Sequence, residues 1–244
     1  MNASPDICLN VENLSVSYQN QPALIDVSFS LPTASLTAVI GANGAGKSTL
    51  VKAMVGLVAK EKGKVLFWNQ ALDSIRQRIT YIPQRAAVDW QFPVSAAEVV
   101  GMGLYRQRGW LRGLNKQDKE KAHAALEAVG LADFARRSIG ALSGGQQQRA
   151  FFARALVQQA DCYIMDEPLA GVDAASEELL FKLMLAEQQK GKTIICVHHH
   201  LPSVPQYFSH AVILNRHLYG CGTVKEVFTP AILQQAYAGQ LLFG

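Results

Sequence analysis

Residues 36 to 49 read LTAVIGANGAGKST, and this stretch decides the fold. LTAVI at 36 to 40 is a continuous apolar run of strand length, the pattern of a strand buried on both faces. The next nine residues, Gly41 to Thr49, match G-x-x-x-x-G-K-[ST]. Gly41, Gly44 and Gly46 let a loop that also holds Asn43 and Ala45 curl around a phosphate with its amides turned inward. Lys47 then reaches the β- and γ-phosphates, and Ser48, followed by Thr49, offers a hydroxyl to Mg²⁺. Leu50, Met54, Leu57 and Val58 follow at helical spacing, so the loop lies between a strand and a helix, the context that this motif requires.

Further runs of the same kind lie along the chain: ITYIP at 79 to 83, CYIMD at 162 to 166, TIICV at 193 to 197 and AVIL at 211 to 214. Between the last three, Leu179, Leu180, Leu183 and Met184 recur at helical spacing ahead of Gly191, a C-terminal cap. Strands buried on both faces and alternating with helices predict an α/β fold around a mostly parallel sheet. The first thirty residues read as short alternating strands forming a small antiparallel sheet, and residues 85 to 160 as an inserted helical lobe. The expected organisation is one compound domain over 1–244, with 1–84 and 161–244 forming the core and its N-terminal β subdomain, and 85–160 the helical subdomain.

A chain of 244 residues buries enough surface to fold without staples, and Cys8, Cys162, Cys196 and Cys221 show no CxxC spacing. A net charge of +4 falls short of the basic stripe of a dedicated nucleic-acid binder, so no nucleic-acid partner is expected. The first ten residues, MNASPDICLN, lack a basic and an apolar export segment, and no run of about eighteen apolar residues occurs. Only 17% of residues are charged, against about 25% in average proteins, so part of the apolar surface is expected to meet partners.

Two more segments carry chemistry. In LSGGQQQR, residues 142 to 149, Ser143 can cap a helix whose first turn exposes the amides of Gly144 and Gly145, with Gln146 next in line. Orphan amides at a positive helix end attract phosphate oxygens; the plain alternative is a glycine turn before an ordinary helix. In CYIMDE, residues 162 to 167, a hydrophobic strand ends in two acids, and the C-terminal ends of parallel strands face the ligand crevice. Asp166 suits the coordination shell of Mg²⁺, and Glu167 is placed to polarise an attacking water.

Taken together, these motifs resemble those of the ATP-binding cassette (ABC) ATPases, in the expected order over nearly the whole chain. The resemblance implies a RecA-like core with an antiparallel β subdomain and a helical subdomain, ATP as ligand and Mg²⁺ as its companion. Within it Tyr18 resembles the aromatic that stacks on adenine, Gln84 the glutamine that senses Mg²⁺ and water, Asp173 the aspartate that couples two halves of a dimer, and His199 the histidine that contacts the γ-phosphate. The residue after that histidine is commonly acidic in the family, whereas this chain has His200 in the run His198, His199 and His200. Adjacent strand residues point to opposite faces, which disfavours a metal site built from all three. PLAGVD departs as well, with Ala170, Gly171 and Val172 where many relatives have Ser-Ala-Leu.

The segment after Gln84, RAAVDWQFPVSAAEVVGMGLYRQRG, resembles the ATPases of bacterial importers for manganese, zinc and ferrous iron, as does PLAGVDAAS. That likeness implies an ATPase subunit on the cytoplasmic face of the inner membrane, energising an integral membrane permease that imports a divalent transition metal. It further implies a homodimer with ATP between the glycine loop of one copy and LSGGQ of the other, and an indirect metal-binding capture protein. Trp90, Phe92, Tyr105 and Trp110 supply aromatic anchors for a partner helix, or core packing for about half of them. Two other readings stay open: a soluble ABC ATPase of an assembly system such as iron–sulfur cluster biogenesis, and the ATPase of a haem or chelated-iron importer.

Overall fold

The structure, a computed structural model, describes residues 6–105 and 113–237. Two sheets form it. The larger has six strands in the order β10-β9-β3-β8-β7-β6, where β3 is Leu36–Ile40, β6 Ile79–Ile82, β7 Cys162–Met165, β8 Thr193–Val197, β9 His210–Asn215 and β10 His217–Thr223. All neighbours are parallel except the terminal hairpin of β9 and β10. The smaller sheet is antiparallel in the order β2-β1-β4-β5, with β1 Ile7–Tyr18, β2 Gln21–Pro32, β4 Lys62–Phe67 and β5 Gln70–Ala71.

The period-2 pleat sorts the apolar runs between two cores. Leu36, Ala38 and Ile40 of β3, Tyr163 and Met165 of β7, and Ile194 and Cys196 of β8 join one core. Val39, Cys162, Ile164, Ile195 and Val197 point the other way, into a core shared with β1, β2 and the helix α1, Lys47–Met54. Each large apolar side chain so buried contributes about 1.5–3 kcal/mol. The first core also holds α2 (Ala96–Gly101), α3 (Lys116–Ala128), α4 (Gly144–Leu156) and α5 (Ala174–Gln189) through Val99, Leu126, Phe152 and Leu180, among others. A last helix, α6, spans Pro230–Tyr237.

The mostly parallel α/β architecture agrees with the sequence pattern; the N-terminal region differs from it. Instead of several short strands there are two 12-residue strands. Gln19 and Asn20 join them, both at positive φ, as a tight hairpin with matching twist demands. Register shifts interrupt the pairing of β1 with β2 at four points, which breaks the clean alternation a single long strand would show. Gly191, at φ 85°, follows α5 as the left-handed stop its position suggested.

Candidate functional site

Four adjacent strands, β3, β8, β7 and β6, end side by side, and each hands its next residues to the same crevice. β3 leads into Gly41, β8 into His198 and His199, β7 into Asp166 and Glu167, and β6 into Gln84. Four motifs far apart in sequence are thereby collected by strand order alone.

The glycine loop is anchored from behind. Ala45 N–H donates to Ala42 O, Ala45 O accepts from Arg216 N–H, and Arg216 O accepts from Ile25 N–H, tying the loop to the β9–β10 turn and to β2. Gly46 sits at φ 91°, and a Cβ there would lie 2.5 Å from Ala23 O. Only glycine suits both conditions. Asn43 and Gly44 are exposed at the loop tip. Lys47 is buried and its ammonium donates to Gly41 O and Ala42 O, each at 2.8 Å. Burial pulls the Lys47 pKa down, and the carboxylates of Glu167 and Asp166 oppose that fall. Thr49 follows, half-buried in the first turn of α1.

Parity explains the next contact. Asp166 continues the face of Cys162 and Ile164, the face covered by α1, so it meets Ser48 from that helix. Ser48 Oγ donates to Asp166 Oδ1 at 2.8 Å, and Tyr81 OH approaches Asp166 Oδ2 at 3.5 Å. The Asp166 carboxyl is fully buried; burial raises its pKa, countered first by the Ser48 hydroxyl and then by Lys52. A buried carboxylate whose near donors are neutral hydroxyls is a hard oxygen set that suits Mg²⁺, whose charge would favour the ionised form.

Glu167 breaks the pleat. Its φ is 53°, and its carboxylate is gripped at both oxygens: Gln84 Nε2 donates to Oε2 at 2.9 Å, and His199 Nε2 lies 2.5 Å from Oε1. A cleft of about 150 Å³ opens beside Glu167, Glu177 and His199, several times the ~30 Å³ share of one water. The three histidines diverge: His198 is buried, His199 reaches Glu167, and His200 is exposed.

Ser143 to Gln146 open α4, where Gly144 lies against Arg85, the residue after Gln84. Ser143 is the N-cap of α4 in a reciprocal box, accepting from Gln146 N–H and donating its own N–H to Gln146 Oε1 at 2.9 Å. Among the described residues, no hydrogen bond is formed to the Gly144 or Gly145 amide, and none joins Ser143–Gln146 to the glycine loop. Asp173 caps α5 through Ser176 and closes on Gly145, where a Cβ would lie 2.7 Å from Asp173 Oδ2. Tyr18, 48% exposed, stands at the β1–β2 hairpin, on the strand pair whose Ala23 and Leu24 back the loop at Gly46.

Sequence reasoning missed Arg85 and Gln147. Arg85 Nε donates to Gln147 Oε1 at 3.0 Å, Arg85 O accepts from Trp90 Nε1, and Trp90 packs 4.9 Å from Phe151, so the segment after Gln84 is fastened to α4. Nothing local signals a contact across 62 residues. Of the expected aromatic anchors, Trp90 is thus largely a packing residue; Phe92 and Tyr105 are exposed, and Trp110 lies outside the described residues. A groove of about 390 Å³ runs between Gln84, Trp90 and Gly171.

A tight glycine loop, a buried carboxylate beside a hydroxyl, and a doubly held glutamate are grouped as a nucleotide hydrolase of the cassette type would need them. The chain belongs to the ABC transporter family, whose match spans residues 24–170, and it is an ATPase. It is 46% identical to the manganese transport system ATP-binding protein MntB of Bacillus subtilis, over 96% of this chain and 94% of that protein. It is 44% identical to the zinc transport system ATP-binding protein TroB of Treponema pallidum, over 96% and 88% respectively. The fold matches a nucleotide-free ATP-binding cassette from an ABC transporter at a TM-score of 0.81 and 26% identity, covering 93% of this chain and 98% of that one.

Proposed function

We propose that this chain is the ATP-hydrolysing subunit that drives an integral membrane permease importing manganese, zinc or iron as the divalent ion. The observation that carries the hydrolytic half is Glu167, held by Gln84 and His199 next to Asp166, Ser48 and the glycine loop. Similarity to manganese and zinc transport ATPases along almost the full chain supports the metal half. Among the described residues no helix is long and apolar enough to cross a membrane, so transport calls for a separate spanning subunit. The groove at Gln84 and Trp90 and the exposed Phe92 and Tyr105 offer that subunit a surface, on the cytoplasmic side of the membrane.

In this reading, Gly41 to Thr49 cradle the ATP phosphates, with Lys47 turning from the loop carbonyls to the β- and γ-phosphates, while Tyr18 stacks on adenine. Ser48, Asp166 and Gln84 would hold Mg²⁺, which would neutralise charge on the phosphates. Glu167 accepts a proton from the attacking water as its oxygen bonds to the γ-phosphorus and the bond from that phosphorus to the β–γ bridging oxygen breaks, so that ADP and phosphate leave, and His199 donates to the γ-phosphate oxygens. Ser143, Gly144, Gly145 and Gln146 are supplied in trans: two copies pair head to tail, each capping the ATP of the other, with Asp173 coupling the halves. That pairing is supported by the Gly144 and Gly145 amides, which form no hydrogen bond among the described residues. The core of 1–84 and 161–244 and the helical lobe of 85–160 would then move against each other as ATP closes the pair. A metal-binding capture protein would deliver the ion to the permease.

The test is Glu167→Gln. It keeps ATP binding but lowers hydrolysis by roughly 10²- to 10⁴-fold, the span of general-base catalysis. The variant should elute as a dimer with ATP and as a monomer without it. A fully active variant overturns the assignment.

A further inference from the structure

His198, which the hydrolytic scheme does not use, is a buried polar side chain beside the site. It follows β8, and its N–H donates to Val39 O at 3.1 Å, extending the ladder by one residue. Pleat parity therefore puts it on the face of Ile194 and Cys196, away from His199. There its ring meets Phe181 of α5 edge-on at 5.9 Å and Phe208 at 5.2 Å, and only 4% of the residue is exposed. Phe181 is itself stacked on Tyr207 at 3.8 Å, so the wall behind the imidazole is packed.

The polar end of the ring closes a short circuit. His198 Nε2 lies 2.6 Å from Ser203 Oγ, and Ser203 Oγ donates to His200 O at 2.8 Å. A serine hydroxyl has one proton, and here it goes to His200 O. The imidazole must therefore carry its proton on Nε2 and donate it to Ser203. Ser203 N–H also reaches His200 O, at 3.2 Å. Residues 198 to 203 form a closed turn, pinned to the core at one end by an aromatic-lined ring and tied across its middle at the His200 carbonyl. His199 is the residue between those two ties, and its Nε2 is the one that meets Glu167.

We propose that His198 and Ser203 are positioning residues, which lock the turn so that the His199 imidazole is presented to Glu167 and to the reacting phosphate. The proposal rests on the reading that Glu167 and His199 carry hydrolysis. Orientation is worth much at such a place: misplacing a reacting group by about 1 Å can cost ~10²-fold. The neutral form is the one the lock uses, and burial, opposed by a hydrogen bond to the His200 backbone, brings the His198 pKa down to about 4.

The experiment is steady-state ATPase kinetics of the full chain with ATP, for His198→Leu, His198→Gln, Ser203→Ala, His199→Ala, and each turn variant combined with His199→Ala. Ser203→Ala and His198→Leu should lower kcat roughly tenfold, within the ~10²-fold that misplacement allows, and leave ATP affinity within about twofold. Glutamine keeps an N–H donor near the Nε2 position, so His198→Gln should recover most of the rate. In the His199→Ala background, the turn variants should add nothing further, because residues acting through one group are not additive. Multiplying losses in that background, or an unchanged kcat in Ser203→Ala, would overturn the proposal while leaving the role of His199 intact. An undiminished kcat in His199→Ala would remove the underlying reading and the proposal with it. Should His198→Leu fail to fold, Ser203→Ala and His198→Gln carry the test alone.

Discussion

Three neighbouring histidines show how much a single position decides. His198 is buried neutral and His199 meets a carboxylate, although the two side chains are identical and adjacent. Because His198 takes up a proton near pH 4 when folded and near 6.5 when unfolded, the unfolded chain binds more protons between those values. Its contribution to stability is therefore complete above about pH 6.5 and is lost as pH falls toward 4, a loss on the order of 3 kcal/mol by the usual 1.36 per pH unit. The other charges near it are His199 and His200, and its ring neighbours Phe181 and Phe208 do not titrate. Urea denaturation from pH 7 to 4.5 should show this slope in the native chain and a shallower one in His198→Gln; parallel curves would contradict it. The alternation of faces was legible in TIICVHHH, and so was the divergence of the three rings. Which of them entered a core was not, because Phe181 and Phe208 lie 17 residues before and 10 after.

Elements differ in how far their sequence announces them. The loop from Gly41 to Thr49 and the cap at Ser143 are readable because backbone geometry restricts the residue types there: glycine for left-handed turns, a short hydroxyl for an N-cap. Gly46→Ala tests this directly. At φ 91°, with Ala23 O and the Leu24 side chain in the way, it should cost on the order of 1–3 kcal/mol and weaken ATP binding. Calorimetry and nucleotide titration check it; an alanine tolerated without change in either would show that the loop is not held as described. The strands of the smaller sheet were less visible. β4, KGKVLF, carries two lysines, and β1 is bent by register shifts, so neither keeps an alternation long enough to announce a strand. The tie from Arg85 to Gln147 was not visible either, since only the folded lobe brings the two together.

At the scale of the whole molecule, among the described residues no hydrogen bond joins Ser143–Gln146 to the glycine loop. In the proposed head-to-tail pair, each glycine loop would receive the Gly144 and Gly145 amides from the other copy. Ser143→Arg should leave ATP binding to the monomer unchanged, because Ser143 makes no bond to its own loop, and should abolish ATP-driven dimerisation by filling the space a phosphate would take. Light scattering with and without ATP reads both states, and normal dimerisation of the variant would sink the paired site. Driving such a pair from mostly open to mostly closed takes about 5.5 kcal/mol of differential binding. Coupling that closure to a permease is the central claim. It is tested most directly by the ATPase rate of the chain reconstituted with its permease, with capture protein loaded in turn with manganese, zinc or ferrous iron. The account predicts a rate that depends on the permease and rises selectively with one of these ions. A rate indifferent to both permease and metal would contradict it.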